Sequence, residues 1–290
     1  MNTVLKTTSI AMLAAGVLFS SCNSGDGKAN AAANGGAIEL KFNLPEGSKY
    51  LYSTDIKQQT STMGQSMTNN MLMEFTYDVK AAENNNKQLA VTYTRMKMDM
   101  NGMGQTMSYD SNDSTKANPN LKSLNGMIGK SFTTTVAPNG TIVKVEGMEG
   151  LAPAGTPGMD AEAMKQMMQT SFNIFPDKPV KVGESWTKTS DMNMQMMKMK
   201  MDTKYTLKKV DGDKATIEMD GKISTGAGTE VQGMKLDLNG TQTGTMEVEI
   251  ATGQAVSGDI KQVIKGKMQA GGQEIPMDVT SEIKITGKKM

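Results

Sequence analysis

The chain has 290 residues, with 31 basic and 30 acidic side chains and no histidine. A neutral balance without a basic run argues against nucleic acid as a partner. Histidine is the commonest general base and zinc ligand, and the chain has none. We therefore predict no enzyme activity, no catalytic residues, no cofactor and no conventional metal site.

The N-terminus has the layout of a secretory signal peptide. Lys6 supplies one positive charge, and the residues from Ile10 to Phe19 are almost all apolar. That run is too short to cross a bilayer, which takes about 20 apolar residues. We therefore expect residues 1–21 to be removed during export.

The only cysteine, Cys22, lies directly after two small residues, Ser20 and Ser21. This arrangement resembles the lipobox of bacterial lipoproteins, which implies that Cys22 becomes an acylated first residue and anchors the protein in a membrane. Asn23 at the next position favours the outer membrane, and the single acid in the residues that follow, Asp26, favours its periplasmic side over the cell surface. The small and polar residues 22–36 should form a flexible tether.

Three motifs recur in the same order along the rest of the chain. The matched segments are 47–55 with 183–191, 86–91 with 213–217, and 135–140 with 249–253. In the first pair, glycine aligns with glycine, an aromatic residue with an aromatic residue, and aspartate with aspartate. We predict two related β-units, residues 37–152 and 180–290, joined by residues 153–179.

Both units alternate apolar and polar residues, which is typical of half-buried antiparallel strands. The clearest segments are Glu39–Phe42, Leu89–Thr94, Met96–Met100, Tyr205–Lys208, Thr216–Met219, Met246–Ile250 and Glu282–Ile285. Turn signals separate the segments at 83–86, 101–102, 138–140, 211–213, 239–240 and 252–253. We predict a mainly β fold of antiparallel meander sheets, with a curved sheet or half-barrel as the arrangement.

One amphipathic helix is predicted between the units. Thr156 and Pro157 form a typical helix start, and Met164, Met167, Met168 and Phe172 then fall on one face. Two prolines follow and should end the helix. We expect its methionine face to pack on a sheet.

The chain has 29 methionines against 13 aromatic residues. The densest stretch, residues 192–201, would expose half of its methionines in one flat strand, so we predict a bulge or tight turn at Met196–Met197. Thioethers are soft ligands for Cu(I), which makes copper binding one hypothesis. Because the methionines are spread through the whole chain, their use as core residues is the simpler interpretation.

Methionine-rich surfaces also adapt to varied apolar partners. The main functional hypothesis is therefore binding of a lipid or hydrophobic peptide, in an envelope protein that does not catalyse a reaction. The predicted ligand-binding residues are Met96, Met98, Met100, Met164, Met167 and Met168. A structural or assembly lipoprotein that docks an envelope protein is the alternative, beside Cu(I) binding.

Several strand-and-turn motifs carry a family resemblance: Gly183-Glu-Ser-Trp186, Tyr109-Asp110-Ser111 and the segment Phe132–Gly147. With the lipobox, they resemble a family of Bacteroidota lipoproteins of unknown function. The resemblance implies a β-rich envelope protein and no established activity. We interpret Trp186 as a core anchor, and Tyr109-Asp110-Ser111 as a turn at a strand end or a ligand-facing rim.

Overall fold

The structure is a computed structural model. It describes residues 36–102, 104–113, 124–148, 161–194, 197–226, 229–231, 234–270 and 272–290. The predicted signal peptide, Cys22 and almost all of the predicted tether lie outside these residues, as does the predicted helix start at Thr156. No α-helix in the described ranges is long and apolar enough to cross a membrane.

Strands dominate the described chain. They are β1 (Lys49–Thr62), β2 (Gln65–Ala81), β3 (Lys87–Gly102), β4 (Gln105–Asp110), β5 (Ser131–Val136), β6 (Ile142–Glu146), β7 (Ser185–Met194), β8 (Met197–Asp211), β9 (Lys214–Thr225), β10 (Glu230–Val231), β11 (Met234–Glu249), β12 (Gln254–Ala270) and β13 (Gln273–Lys289). A 3₁₀ turn at Glu83–Asn85 joins β2 to β3, and the α-helix α1 spans Ala161–Phe172. The mainly β prediction is confirmed.

All 13 strands belong to one antiparallel sheet with the order β6-β5-β3-β2-β1-β13-β12-β11-β9-β8-β7. The short strands β4 and β10 pair with β3 and β11. The ladder between β1 and β13 joins the strands of the first predicted unit to those of the second. The two groups of strands therefore form one continuous sheet.

The repeated motifs fall at matching places in the two groups of strands. Gly47 and Gly183 precede β1 and β7 with φ of 75° and 89°, a region that favours glycine. Tyr50 and Trp186 are each the second residue of the strand that follows. The second motif begins β3 and β9, and the third ends β5 and β11. The two groups thus follow each other head to tail along the sheet.

The sheet curls strongly at its lower end, where β1 begins and β13 ends. In a flat sheet, six strand spacings would separate β5 from β11 by about 29 Å. The amides of Phe42 and Asn43 instead donate to the carbonyls of Pro138 and Thr252, at 2.8 and 2.9 Å. Since these amides are neighbours, the turns after β5 and β11 lie within about 10 Å of each other.

The same hydrogen bonds correct one prediction. Glu39–Phe42 is not part of a strand, although Leu40 and Phe42 are buried as the alternation predicts. Its backbone reaches the carbonyls of two turns rather than a neighbouring strand, because it crosses the lower end of the curled sheet. Ile38 alone forms a β-bridge, with Val180.

A row of glycines shapes the pairing of β11 with β12. Inward-facing pairs alternate a glycine with a large side chain: Leu238 with Gly266, Gly240 with Ile264, Gly244 with Ile260, and Met246 with Gly258. A Cβ atom on Gly240, Gly244 or Gly266 would overlap a carbonyl oxygen of the neighbouring strand. These three glycines therefore permit an unusually close approach of the two backbones, which bends the sheet.

The glycine row also corrects the predicted turn at Asn239–Gly240. Both residues lie inside β11, paired with Lys265 and Ile264 of β12. An Asn-Gly pair usually marks a hairpin turn. Here, Gly240 lies within a strand, where the lack of a side chain allows the strand to bend.

Helix α1 contacts both edge strands of the sheet, β6 and β7. The side-chain oxygen of Gln169 accepts a hydrogen bond from the Ile142 amide of β6, at 2.7 Å. The side-chain nitrogen of Asn173, just after the helix, donates to the Thr189 carbonyl of β7, at 2.9 Å. The helix thus bridges the two edges and occupies hydrogen-bonding groups that an open edge would leave available.

Candidate functional site

The inner face of the curved sheet carries two separate buried clusters. The lower cluster contains Phe42, Tyr50, Tyr52, Phe75, Tyr77, Tyr93, Tyr109, Phe132, Phe172, Phe175 and Tyr205, with the aliphatic and methionine side chains between them, and Trp186 packs against it. The upper cluster contains Met192, Met199, Met201, Ile223, Leu238, Ile264, Met277 and Val279. The upper cluster has no aromatic residue.

A row of mostly polar, buried residues crosses the inner face, and on β8, β9 and β11–β13 it lies between the two clusters. Direct cross-strand pairs link Thr203 to Gly221, Gln242, Gln262, Ser281, Gln58 and Asn69 in that order. We call these residues the polar row. Each of its side chains is at most 5% exposed. One residue from each of seven adjacent strands, six of them polar, thus lies in a single line across the sheet.

The hydrogen bonds of the polar row are incomplete. The Gln262 amide nitrogen donates to the Gln242 oxygen at 2.6 Å, and the Gln242 nitrogen contacts the Met219 sulphur at 3.7 Å. Among the described residues, neither amide atom of Gln58 has a hydrogen-bond partner, and the Gln262 oxygen has none. Buried polar groups in folded proteins are nearly always paired, so this spare capacity is unusual.

The predicted ligand-binding residues fall in the lower cluster as far as their side chains are described. Met96, Met98 and Met100 of β3 face inward and are 5–8% exposed, and Met168 of α1 is 1% exposed. The side chains of Met164 and Met167 lie outside the described part. The structure therefore brings four of the six into one packed core.

The methionine-rich stretch forms a hairpin. Met194 of β7 pairs with Met197 of β8, so the two strands run antiparallel through this stretch. Met192, Met199 and Met201 all face inward, while Lys198 and Lys200 are exposed. The reversal of the chain between β7 and β8 agrees with the predicted turn, and Met196 itself lies outside the described residues.

Sequence reasoning missed both the upper cluster as a separate unit and the polar row. The signal for the row was present, because Gln58, Gln242 and Gln262 occupy positions that the alternation assigns to the inner face. A glutamine at such a position resembles a break in the pattern. Only the strand register shows that these glutamines lie in one line.

The Tyr109-Asp110-Ser111 motif ends β4 in a turn. The Ser111 side chain accepts a hydrogen bond from the Met96 amide at 3.1 Å, and the Tyr109 hydroxyl contacts Asn125 at 2.7 Å. Asp110 pairs with Arg95, the only arginine, at 3.0 Å. Hydrogen bonds from Arg95 and the Asn112 amide hold the pKa of Asp110 below its usual value. This supports the turn interpretation.

Burial dominates the electrostatics of the lower cluster. It raises the pKa of Tyr93 to about 12 and raises the pKa of Tyr77 well above its usual value, because a buried phenolate would lose its hydration. The Trp186 ring stacks on Tyr205 with a centroid distance of 5.8 Å, and its nitrogen donates to the Ile174 carbonyl at 2.7 Å. These contacts agree with the prediction of Trp186 as a core anchor.

The outer face of the sheet is polar. Its ion pairs, such as Lys208 with Glu218 at 3.4 Å, are solvent-exposed. A shallow cavity of about 460 Å³ lies there between Asp237, Lys267 and Glu274. Such a lining does not suit an apolar ligand. No group of three or more His, Cys, Asp or Glu side chains within the described ranges could hold a metal ion.

A family model, described as "Family of unknown function (DUF6263)", matches residues 84–154 and 157–255. These segments make up more than half of the chain. The protein belongs to this family. The family match includes most strands of both groups together with α1, and it leaves the lipid anchor and the bacterial phylum as predictions. No curated protein matches the sequence.

Among solved structures, one described as "Lipid-protein interactions in lipovitellin" aligns with 83% of this chain, at a TM-score of 0.52 and 8% identity. The alignment spans only 25% of the lipovitellin chain. OccK5 (OpdH) of Pseudomonas aeruginosa, covered over 99% of its length, aligns with 86% of this chain at a TM-score of 0.27 and 8% identity. Of these two, the lipovitellin likeness is close enough to indicate a shared fold.

Proposed function

We propose that this protein binds an apolar ligand, of the lipid class, in the upper cluster of its curved sheet and does not catalyse a reaction. The observation that carries the proposal is the upper cluster itself, a second apolar region separated from the main core by the polar row. Four of its eight members are methionines. Methionine is unbranched and flexible, so such a lining can repack around varied apolar shapes.

The lipovitellin likeness supports this proposal at the level of fold. That structure is described by its lipid–protein interactions, and it shares a large part of the sheet architecture with this chain. Fold alone does not carry function, so the argument rests on the inner face rather than on the likeness.

The upper cluster is closed in the structure. Its members are 1–7% exposed, so a ligand has to displace side chains that otherwise fill the space. Rearrangement of methionine rotamers would open the cluster at a smaller cost than movement of packed rings. The observed affinity should therefore be lower than that of an open pocket, because the open state is a minor population.

Co-purification and fluorescence together test the proposal. Native mass spectrometry of the protein extracted mildly from its host membrane should show bound lipid. A tryptophan at Met277 should be quenched by a lipid with brominated acyl chains, whereas the native Trp186 should be quenched little, because it packs on the lower cluster. Met277→Trp is compared with the unsubstituted protein, in which Trp186 is the only tryptophan.

Two results would overturn the proposal. One is a lipid-free mass in repeated preparations, together with no quenching at either position. The other is stronger quenching of Trp186 than of the tryptophan at position 277, because the ligand would then lie against the lower cluster. A protein adduct from crosslinking in cells, without bound lipid, would favour the assembly role instead.

We also propose that Cys22 carries acyl chains that hold the protein at the outer membrane. Its support is the lipobox-like Ser20-Ser21-Cys22 sequence after an apolar run. Two or three acyl chains give stable attachment, since each buried CH₂ contributes about 0.8 kcal/mol. Metabolic labelling with a fatty-acid analogue should mark the protein, and Cys22→Ala should abolish the label. An unlabelled wild-type protein would contradict the proposal.

Copper binding is the second candidate, because the upper cluster brings together the thioethers of Met192, Met199, Met201 and Met277. Thioethers favour Cu(I). Replacing all four methionines by leucine keeps the cluster apolar and removes every thioether from it. If Cu(I) is the ligand, titration with Cu(I) under reducing conditions should saturate the wild type and lose its signal in this variant. An identical titration of both proteins would exclude copper at this cluster.

A further inference from the structure

The polar row has hydrogen-bonding groups to spare. Gln58, 3% exposed, lies between Asn69 and Ser281 in the row, and neither atom of its amide has a partner among the described residues. The Gln262 oxygen is also without one. An amide buried without hydrogen bonds is unfavourable, so a molecule that pairs with it would gain more than the same contact at a surface.

The row is built for an uncharged group. All its side chains are amides or hydroxyls. Lys188, the next residue in line beyond Thr203, is paired with Asp177 at 2.6 Å. A charged head would therefore meet no free counter-charge in the described row. An amide both donates and accepts, which suits hydroxyl and ester oxygens.

The row also lies at the base of the upper cluster. Thr203 lies six positions after Met197, the first residue of β8. In a strand, six positions span about 20 Å. Apolar side chains of neighbouring strands line this length on the inner face. A molecule with its polar end at the row would thus have its apolar end among methionines.

We propose that the polar row is a subsite for the uncharged, hydroxyl- or ester-bearing head of a lipid whose acyl chain lies in the upper cluster. This inference rests on the proposed function and names the class of ligand. Gln58 is the principal contact, because neither of its amide atoms has a partner among the described residues.

Three probes of equal chain length test the subsite: 1-monooleoylglycerol, oleate and the hydrocarbon 1-octadecene. Each competes with a fluorescent apolar dye for the full-length protein. Monooleoylglycerol should bind about tenfold more tightly than octadecene, the factor expected for one or two net hydrogen bonds. Oleate should bind more weakly than monooleoylglycerol, because its charge would be buried without a partner.

Gln58→Leu should remove the preference for monooleoylglycerol and leave octadecene binding unchanged. Two substitutions of the same kind serve as controls. Gln59→Leu changes the adjacent residue, whose side chain faces outward. Gln254→Leu removes another buried amide without a described partner, at the lower end of β12 and away from the polar row. Both controls should keep the preference. If Gln58→Leu does not fold, Gln58→Met replaces it with an unbranched side chain of similar length.

The outcomes separate this inference from the proposed function. Equal binding of monooleoylglycerol and octadecene to the wild type would overturn the subsite and leave the apolar site standing; water would then satisfy the row. A preference that survives both Gln58 substitutions would also overturn it. Binding of none of the three probes would overturn the proposed function together with the subsite.

Discussion

The two buried clusters on the inner face differ in their aromatic content. Every aromatic residue after Phe19 belongs to the lower cluster or packs against it, and none belongs to the upper cluster. In the lower cluster, rings meet at defined angles, such as Phe42 and Phe172 edge to face at 5.3 Å, and Tyr52 stacked on Phe75 at 5.2 Å. Rings have few rotamers and specify one arrangement, whereas methionine accepts many.

This difference indicates a division of roles along the same strands. The lower cluster joins inward side chains of the strands to those of residues 38–44 and the end of α1, and it has far more members than the upper cluster. The upper cluster is smaller and more adaptable. We infer that the lower cluster supplies most of the stability and leaves the upper cluster free to accept a ligand.

The largest expected effect is the loss of an aromatic ring from the lower cluster. Phe75→Ala should lower the free energy of unfolding by about 3–5 kcal/mol, because it removes a fully buried ring and leaves a cavity. Met201→Ala in the upper cluster should cost about 2 kcal/mol, since flexible neighbours can collapse into the space. Urea denaturation measures both. Equal losses, or a larger loss for Met201→Ala, would contradict the division.

An intermediate effect is expected at the bend between β11 and β12, which passes through both regions. Gly244→Ala should lower the free energy of unfolding by about 1–3 kcal/mol, because the new Cβ would overlap the Asp259 carbonyl and push the backbones apart. Gly258→Ala is the matched control. Its Cβ would lie 3.4 Å from the Ile285 side chain, an ordinary contact. Thermal unfolding of the pair should show a clear loss only for Gly244→Ala; similar curves would refute the close-approach argument.

The smallest effect is expected at the ion pair of Arg95 and Asp110, which braces β4 on the outer side of β3. Asp110→Asn should lower the free energy of unfolding by about 1 kcal/mol at pH 7. Arg95 lowers the pKa of Asp110 in the folded state. The ion pair therefore stabilises the fold fully above pH 3.8, the ordinary pKa, and this stabilisation is lost as the pH falls through the lower pKa of the folded state.

Denaturation at several pH values checks this last prediction. The wild type and Asp110→Asn should differ at pH 7 and converge in the acid range below 3.8. Asp78→Asn, in a more exposed pair with Lys49 at 3.4 Å, is the control and should have a smaller effect. A difference for Asp110→Asn that grows as the pH falls would contradict the assignment.

The local elements could be predicted because their signals are local. Alternating apolar and polar residues predicted strands, and most of those segments lie in strands of the structure. The apolar stripe that ends at Phe172 predicted α1. The prediction failed where a familiar local signal served another purpose. Asn239–Gly240 bends a strand, and Glu39–Phe42 spans the turns of two distant strands. In both places the tertiary contact decides the conformation, not the residue's own preference.

The candidate site could be predicted only in part. The abundance of methionine suggested an apolar, adaptable inner face, and the pairing of β7 with β8 followed from the density of methionines in residues 192–201. The division of those methionines between two clusters could not be read from the chain, since Met98 and Met199 have similar neighbours in sequence. Burial and register assign the first to the lower cluster and the second to the upper.

The sequence by itself determined that the chain is mainly β, that one face of its strands is apolar and rich in methionine, and where most turns and the helix lie. These properties depend on residues within a few positions of each other. Only the tertiary structure decided that β1 pairs with β13, and that Gln58 and Gln262 belong to one line across the sheet. The reason is physical: register between strands more than 200 residues apart is set by the whole curled sheet, through packing that no short segment contains.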